Sequence, residues 1–502
     1  MLTGINVKAR DSEGWSYLHF VAKYGAPAIA KILLENGVFI DSLSNHNETP
    51  LEIAVENEKK DIVSILTEHG ANINNINSKK QPLIHTAISK SNQKLLQMLV
   101  IKGVDVNVVS SNGRSPLTEV ISNRKFEATE LLVKNGADLN LCDGKGWLPI
   151  NVAIIKGDIK ILHYIIMNGA ELNKSDDNGR IPLHAAIEEG KTNELKLLLQ
   201  YNVDLAYEDK FGWSPLNIAV HTGNQEVIKL LLENAVNTDF FDGTAWSRLN
   251  LAICKGYCDI AAILIEHGAS LNLCDGKGWL PLHVSIVNHT DEVTKCLIQS
   301  GASLNDSDNT GWSPLTSAVE INDLHTTNLL IANGAMLDAM DGNNWTPLLM
   351  AINKGYDEIV KTLIHNNVNL DLGDSFGFLP LHSAIMKNEE CIAELLIKNG
   401  ADINAKDING CSPICYAAQH GSINITMLLI ANGADIDAQD KFKMNALHYA
   451  VLNNHPKTAI TLLSCSASLT VKNNQGDVPI EATLKTVDSA AFKSLLNFMH
   501  SI

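Results

Sequence analysis

The chain has 502 residues, 45% of them hydrophobic and 5% aromatic, with 39 basic against 56 acidic side chains and a net charge of −17. Such an acid excess lacks the basic patches that nucleic acid or an anionic membrane surface requires, and no run of about eighteen apolar residues is present to make a transmembrane helix. The amino terminus shows no basic-then-apolar leader, and nine unevenly placed cysteines make no disulfide framework, so a reduced, cytoplasmic setting is expected.

The first residues already carry a pattern that returns later. Gly4-Ile5-Asn6-Val7-Lys8-Ala9-Arg10-Asp11 is in phase with Gly400-Ala401-Asp402-Ile403-Asn404-Ala405-Lys406-Asp407. Residues 1–10 therefore read as the tail of a repeat whose helices are absent. The chain is expected to be part of a longer polypeptide, or to dock into an assembly at this end.

From Leu18 onward a 33-residue step lands on Leu51, Ile84, Leu117, Ile150, Leu183, Leu216, Leu249, Leu282, Leu315, Leu348, Leu381, Ile414, Leu447 and Ile480. Fifteen anchors fall in register without an insertion, which is the mark of stacked repeats. Each unit can be read from residues 176–205. Proline precedes the anchor at eleven of the fourteen proline positions, as at Pro215 and Pro347, where the first turn of a helix has no use for its N–H. An apolar run (Ala185, Ala186, Ile187), a break at Gly190 and a second run (Leu195, Leu197, Leu198, Leu199) predict two short helices. Glycine then stops the second helix, as at Gly136, Gly268 and Gly400, with Asn202 and Asn367 standing in for it. β-type and turn-type residues such as Asp402, Ile403, Asp407 and Gly410 fill the rest, predicting an extended loop or hairpin.

This unit resembles the ankyrin repeat. The motif T-P-L-H-x-A of that family appears as IPLHAA (181–186) and LPLHSA (379–384), and its G-A-D-x-N tail as GADLN (136–140) and GADIN (400–404). The resemblance implies an all-α repeat solenoid of stacked helix-turn-helix units with projecting β-hairpin loops. It also implies a non-catalytic role in binding other proteins. Residues 11–502 then form one solenoid of fifteen repeats, the last (474–502) degenerate or capping.

Along the chain, repeats two to four are the loosest copies: Ser44, Asn77 and Ser110 replace the usual Asp, and repeat three carries its proline one place early in KQPLIHTA. Ala235 and Ser466 replace the stop glycine, while Arg248 and Ala446 replace the helix-opening proline, so weaker interfaces are expected there. From Asp143 to Asp440 the copies are cleaner, and DGKGWLP recurs at 143–149 and 275–281.

Two ladders run through this region. All seven tryptophans occupy one register position: Trp15, Trp147, Trp213, Trp246, Trp279, Trp312 and Trp345, followed by Phe378. Four residues before them stand Asp209, Asp242, Asp275, Asp308, Asp341 and Asp374. The resemblance places this tryptophan position on the exposed loop that contacts partners. One reading makes the ladder framework, with the indole packed on its neighbour and the Asp accepting from its own turn amides. The other makes Trp213, Trp246, Trp279, Trp312, Trp345 and Phe378 an aromatic strip, edged by the aspartates, for a partner segment carrying Lys or Arg.

Histidines 19, 85, 184, 283, 382 and 448 follow the anchor directly and read as framework. Cys254/Cys258 and Cys411/Cys415 are close pairs without a partner pair for zinc, and no phosphate loop, nucleophile elbow or metal-protease motif occurs. No cofactor is called for. Without an inserted loop there is no pocket-building element for catalysis. The expected function is thus a non-catalytic protein-binding scaffold using a concave groove and loop fingers. The alternative is a spacer, tether or spring within a larger protein.

Overall fold

First helices begin at a fixed interval throughout. The computed structural model describes residues 7–76, 81–144, 146–239, 246–276 and 278–484, and it contains two compact units, Met1–Gly243 and Thr244–Ile502. In the first unit the opening helices start at Tyr17, Pro50, Leu83, Pro116, Pro149, Pro182 and Pro215; in the second they start at Arg248, Pro281, Pro314, Pro347, Pro380, Pro413, Ala446 and Pro479. Every one of these starts lies 33 residues after the one before it within its unit. Twenty-nine helices are present among the described residues.

Local chemistry explains the starts. Thr49, Ser115 and Ser214 in the first unit, and Ser247, Ser313 and Thr346 in the second, each accept a hydrogen bond from the backbone N–H three residues on, satisfying a donor that the helix leaves free. This cap also explains why helices open at Arg248 and Ala446 without proline: Ser247 Oγ takes the Asn250 N–H at 3.1 Å, and Asn445 Oδ1 takes the His448 N–H at 3.1 Å. In repeat three the displaced Pro82 sits at the cap position itself, and the helix Leu83–Ser89 begins with no side-chain cap.

Within each unit, a first helix packs on its own second helix and on the first helices of the adjoining repeats. Thin layers result, and each is sealed by the anchor. The anchors from Leu18 to Leu216 in the first unit, and from Leu249 to Leu447 in the second, are at most 2% exposed. The last, Ile480, is half-buried.

Second helices end in a left-handed residue at Gly136 and Gly169 in the first unit and at Gly400 and Gly433 in the second. Asn367 takes the same conformation (φ 61°), as do Ala235 (φ 58°) and Ser466 (φ 72°), where a Cβ makes it costly. Asn202 does not adopt it. The second helix of that repeat, Thr192–Leu198, ends early, and the chain leaves through a tight turn in which the Val203 N–H donates to the Tyr201 carbonyl at 2.8 Å.

The loops also differ from the hairpins expected of them. Among the described residues there is no β-ladder, only the isolated bridges Arg10–Ser16 and Ile76–Pro82. Each loop that lies wholly among the described residues is a single turn closed by two backbone bonds. At 209–213, the Asp209 N–H donates to the Trp213 carbonyl (3.0 Å) and the Gly212 N–H to the Asp209 carbonyl (3.0 Å). Several of these turns are tied to the next: the Gly144 N–H donates to the Gly113 carbonyl at 2.8 Å in the first unit, and the Lys441 N–H to the Asn409 carbonyl at 2.9 Å in the second.

Candidate partner-binding surface

The turn that ends each repeat positions the aromatic ladder. Oδ1 of the aspartate four residues upstream accepts the aromatic residue's own N–H: Trp213 to Asp209 (3.0 Å), Trp279 to Asp275 (2.8 Å), Trp312 to Asp308 (3.0 Å), Trp345 to Asp341 (2.8 Å) and Phe378 to Asp374 (3.0 Å). The same oxygen takes a second amide two residues on, such as Phe211 at Asp209 and Asn343 at Asp341. Asp209, Asp275 and Asp308 are buried, whereas Asp341 and Asp374 are half-buried. Oδ1 of each of these carboxylates is thus engaged in closing its own turn. Asp242 lies outside the described residues.

The aromatic side chains stand apart from that network. Trp213, in Met1–Gly243, is half-buried and meets His221 edge-on at 4.9 Å. In Thr244–Ile502, Trp246, Trp279, Trp312, Trp345 and Phe378 are all half-buried, in five consecutive repeats. Phe378 meets Tyr416 at 5.5 Å. Among the described residues, Trp279, Trp312 and Trp345 make no contact with another aromatic ring. The turn closes through backbone and aspartate, and the indole takes no part in those bonds.

What the aromatic residue contributes to the stack is its carbonyl. His184 Nδ1 accepts the Ile181 N–H (3.2 Å) at the start of its own helix, while its Nε2–H donates to the Trp213 carbonyl of the next repeat (3.2 Å). The same staple joins His19 to Glu48 (3.1 Å), His283 to Trp312 (2.8 Å) and His448 to Asp477 (3.3 Å). Asn250 does the work with its amide, donating to the Trp279 carbonyl at 3.1 Å.

A second staple escaped the sequence reading, because it spans 31 residues. The Asn or Asp side chain near the end of one repeat accepts a backbone N–H from the next. Examples are Asn107 from Asp138 (2.8 Å) and Asn140 from Glu171 (2.9 Å) in the first unit, and Asn305 from Met336 (2.7 Å) and Asn404 from Asp435 (2.9 Å) in the second. The final residue of the G-A-D-x-N tail is what makes it.

Burial holds His19, His184, His283, His382 and His448 below the ordinary imidazole range, since charging them costs solvation that the interior cannot return. A second proton would also set Nδ1–H against the N–H it now accepts at His19, His184, His382 and His448. The unfolded chain therefore takes up protons first, and stability is complete above about pH 6.5 and falls as the pH drops below it. We expect the melting temperature to decline between pH 7 and 5, and His184→Gln with His283→Gln to flatten the decline. Thermal melts followed by circular dichroism at fixed ionic strength would measure it; equal slopes for wild type and variant would refute it.

Among the described residues no group of three or more His, Cys, Asp or Glu is arranged to hold a metal ion, and no helix is long and apolar enough to cross a membrane. Comparison with known families gives one result. A family described as ankyrin repeats, in three copies, matches residues 1–77, 84–176, 150–242, 249–341, 318–407 and 406–473. The chain belongs to the ankyrin-repeat family. No match was found among curated proteins. Ankyrin repeats are typically non-catalytic modules for protein–protein interaction, and the buried anchors, histidine staples and turn aspartates are the framework of this one.

Proposed function

We infer that this ankyrin-repeat chain is a scaffold that binds partner segments along the aromatic column of Thr244–Ile502. The observation that carries the reading is the half-exposed run Trp246, Trp279, Trp312, Trp345 and Phe378 in consecutive repeats. Framework roles at that position are met by backbone atoms and aspartates, so large aromatic surface is retained where no turn needs it. Tryptophan is enriched at energetic centres of interfaces because it buries much area with little entropy to lose. Trp213 offers the same chemistry in Met1–Gly243.

A partner carrying Lys or Arg fits best. The net charge of −17 draws cationic segments towards the chain, and a cation over an indole face is worth about 0.5–2 kcal/mol. Replacing Trp279, Trp312 and Trp345 together by Ala is expected to weaken binding of a basic partner at least tenfold while cooperative unfolding survives. Affinity by calorimetry and stability by denaturant titration, on the same samples, would separate the outcomes. If melting collapses, the column is framework. If binding is untouched, the rival spacer reading gains, since a tether has no use for that column.

A further inference from the structure

Two places in Met1–Gly243 share a register and differ in one occupant. Arg180 stands where other repeats carry tryptophan, and its guanidinium is held by Glu188 at 2.6 Å and by Asp209 at 3.4 Å. Two repeats earlier the same positions read Arg114, Ser122 and Asp143. The aspartate is retained; the glutamate has become a serine. Where its carboxylate would lie there is instead a cavity of about 140 Å³, lined by Arg114, Ser122, Asp143, Trp147, Ile155 and Lys156 among others. Arg114 is exposed, Lys156 is half-buried, and among the described residues neither has an ion-pair partner. Asp143 Oδ1 is already taken by the Trp147 N–H at 2.9 Å.

We propose that this cavity receives an Asp or Glu side chain from a bound partner segment, which occupies the place that Glu188 fills beside Arg180. The molecule itself shows what an arginine at this register takes: both oxygens of Glu188 lie within 2.7 Å of its Nη1. A guanidinium presents a planar fork that matches a carboxylate, and a charge-assisted pair of this kind is stronger than a neutral bond. Lys156 brings a second positive charge, so the two cations outweigh Asp143. Trp147 and Ile155 offer an apolar wall to the side chain's methylenes, and the Ser122 hydroxyl is a donor where a carboxylate oxygen would arrive. The inference rests on the protein-binding reading and adds the chemistry of one contact. Against a chain of net charge −17, a cationic notch would fix the register of a partner whose remaining residues are basic.

The test uses the full chain as bait for a displayed library of random dodecapeptides at physiological salt, followed by anisotropy with the selected peptides. Selected peptides are expected to share an Asp or Glu at one position. Changing it to Asn or Gln should weaken binding at least tenfold. Arg114→Ala should do the same, and so should Ser122→Glu, which fills the notch from within. Arg114 is exposed, so Arg114→Ala keeps the test valid even if Ser122→Glu disturbs folding. Peptides lacking a shared carboxylate, or indifferent to both substitutions, overturn the notch and leave the scaffold reading standing. A library that yields no binder at all counts against both.

Discussion

Replacing Glu52 by Gln should stabilise Met1–Gly243 by about 3 kcal/mol at pH 8 and by almost nothing at pH 4. Glu52 stands in the histidine column, is 5% exposed, and caps its own helix by accepting the Thr49 N–H on Oε2 at 2.8 Å. Its other oxygen, Oε1, is buried with no hydrogen-bond partner. Desolvation is the main cause that pushes the carboxyl up to about 7, and the charges of Glu48 and Glu56 add to it. Because the folded value lies above the unfolded one, the folded chain keeps a proton that the unfolded chain has released. The resulting stability is complete below about pH 4.5 and is lost as the pH rises to about 7. Above that, a bare carboxylate sits in the interface where neighbouring repeats place a donor. By register, Oε1 lies where His19 Nε2 reaches the Glu48 carbonyl and where Asn250 donates to Trp279. A Gln amide supplies that donor and removes the charge, while its oxygen still accepts from Thr49. Denaturant melts of both proteins at pH 8, 6 and 4 would decide it, with hydrogen exchange at residues 53–55 as a local readout. A stability difference that does not grow with pH would show that Glu52 is neutral or solvated in the folded chain.

That prediction depends on one letter that breaks the histidine column. The 33-residue step located the start of every opening helix, because proline, the cap hydroxyl and the buried anchor lie within three residues of one another and share a local cause. The loops were less legible. Residues such as Ile403 and Asn404 have extended character, yet ladder pairing needs a facing strand, and each turn closes after one pair of backbone bonds. Asn202 looked like a helix stop by residue type, but the helix before it ends at Leu198, so no left-handed residue is needed. For the aspartates, turn stapling and partner contact are equally compatible with their spacing. The amide-to-Oδ1 distances add that one oxygen of each is held in its turn. The Asn107 and Asn140 staples and the Arg114 notch lay beyond sequence reasoning for a common reason. Their partners come from different repeats, so residue type alone does not say which side chain meets which.

Substituting Gly113 by Ala should cost the first unit about 3 kcal/mol, whereas the same change at Gly136 should cost about 1 kcal/mol. Both residues are left-handed, with φ of 74° and 87°, so a side chain strains the backbone at either. Their surroundings differ. A Cβ on Gly136 meets nothing within 4 Å. On Gly113 it falls 2.3 Å from Gly144 Cα and 2.6 Å from Gly144 N, and both are backbone atoms that no rotamer change can move. Relief requires the two turns to part, which breaks the bond from the Gly144 N–H to the Gly113 carbonyl and exposes what the turns shield. The extra loss is one hydrogen bond of about 0.5–1.5 kcal/mol plus the packing between turns. Because a repeat array gains its stability from neighbouring interfaces, the damage should be local, with faster hydrogen exchange in residues 110–114 and 143–147 and little change beyond the adjacent repeats. Equal costs at the two glycines would mean that the turns contribute nothing to the stack, leaving the anchors and side-chain staples to hold it alone.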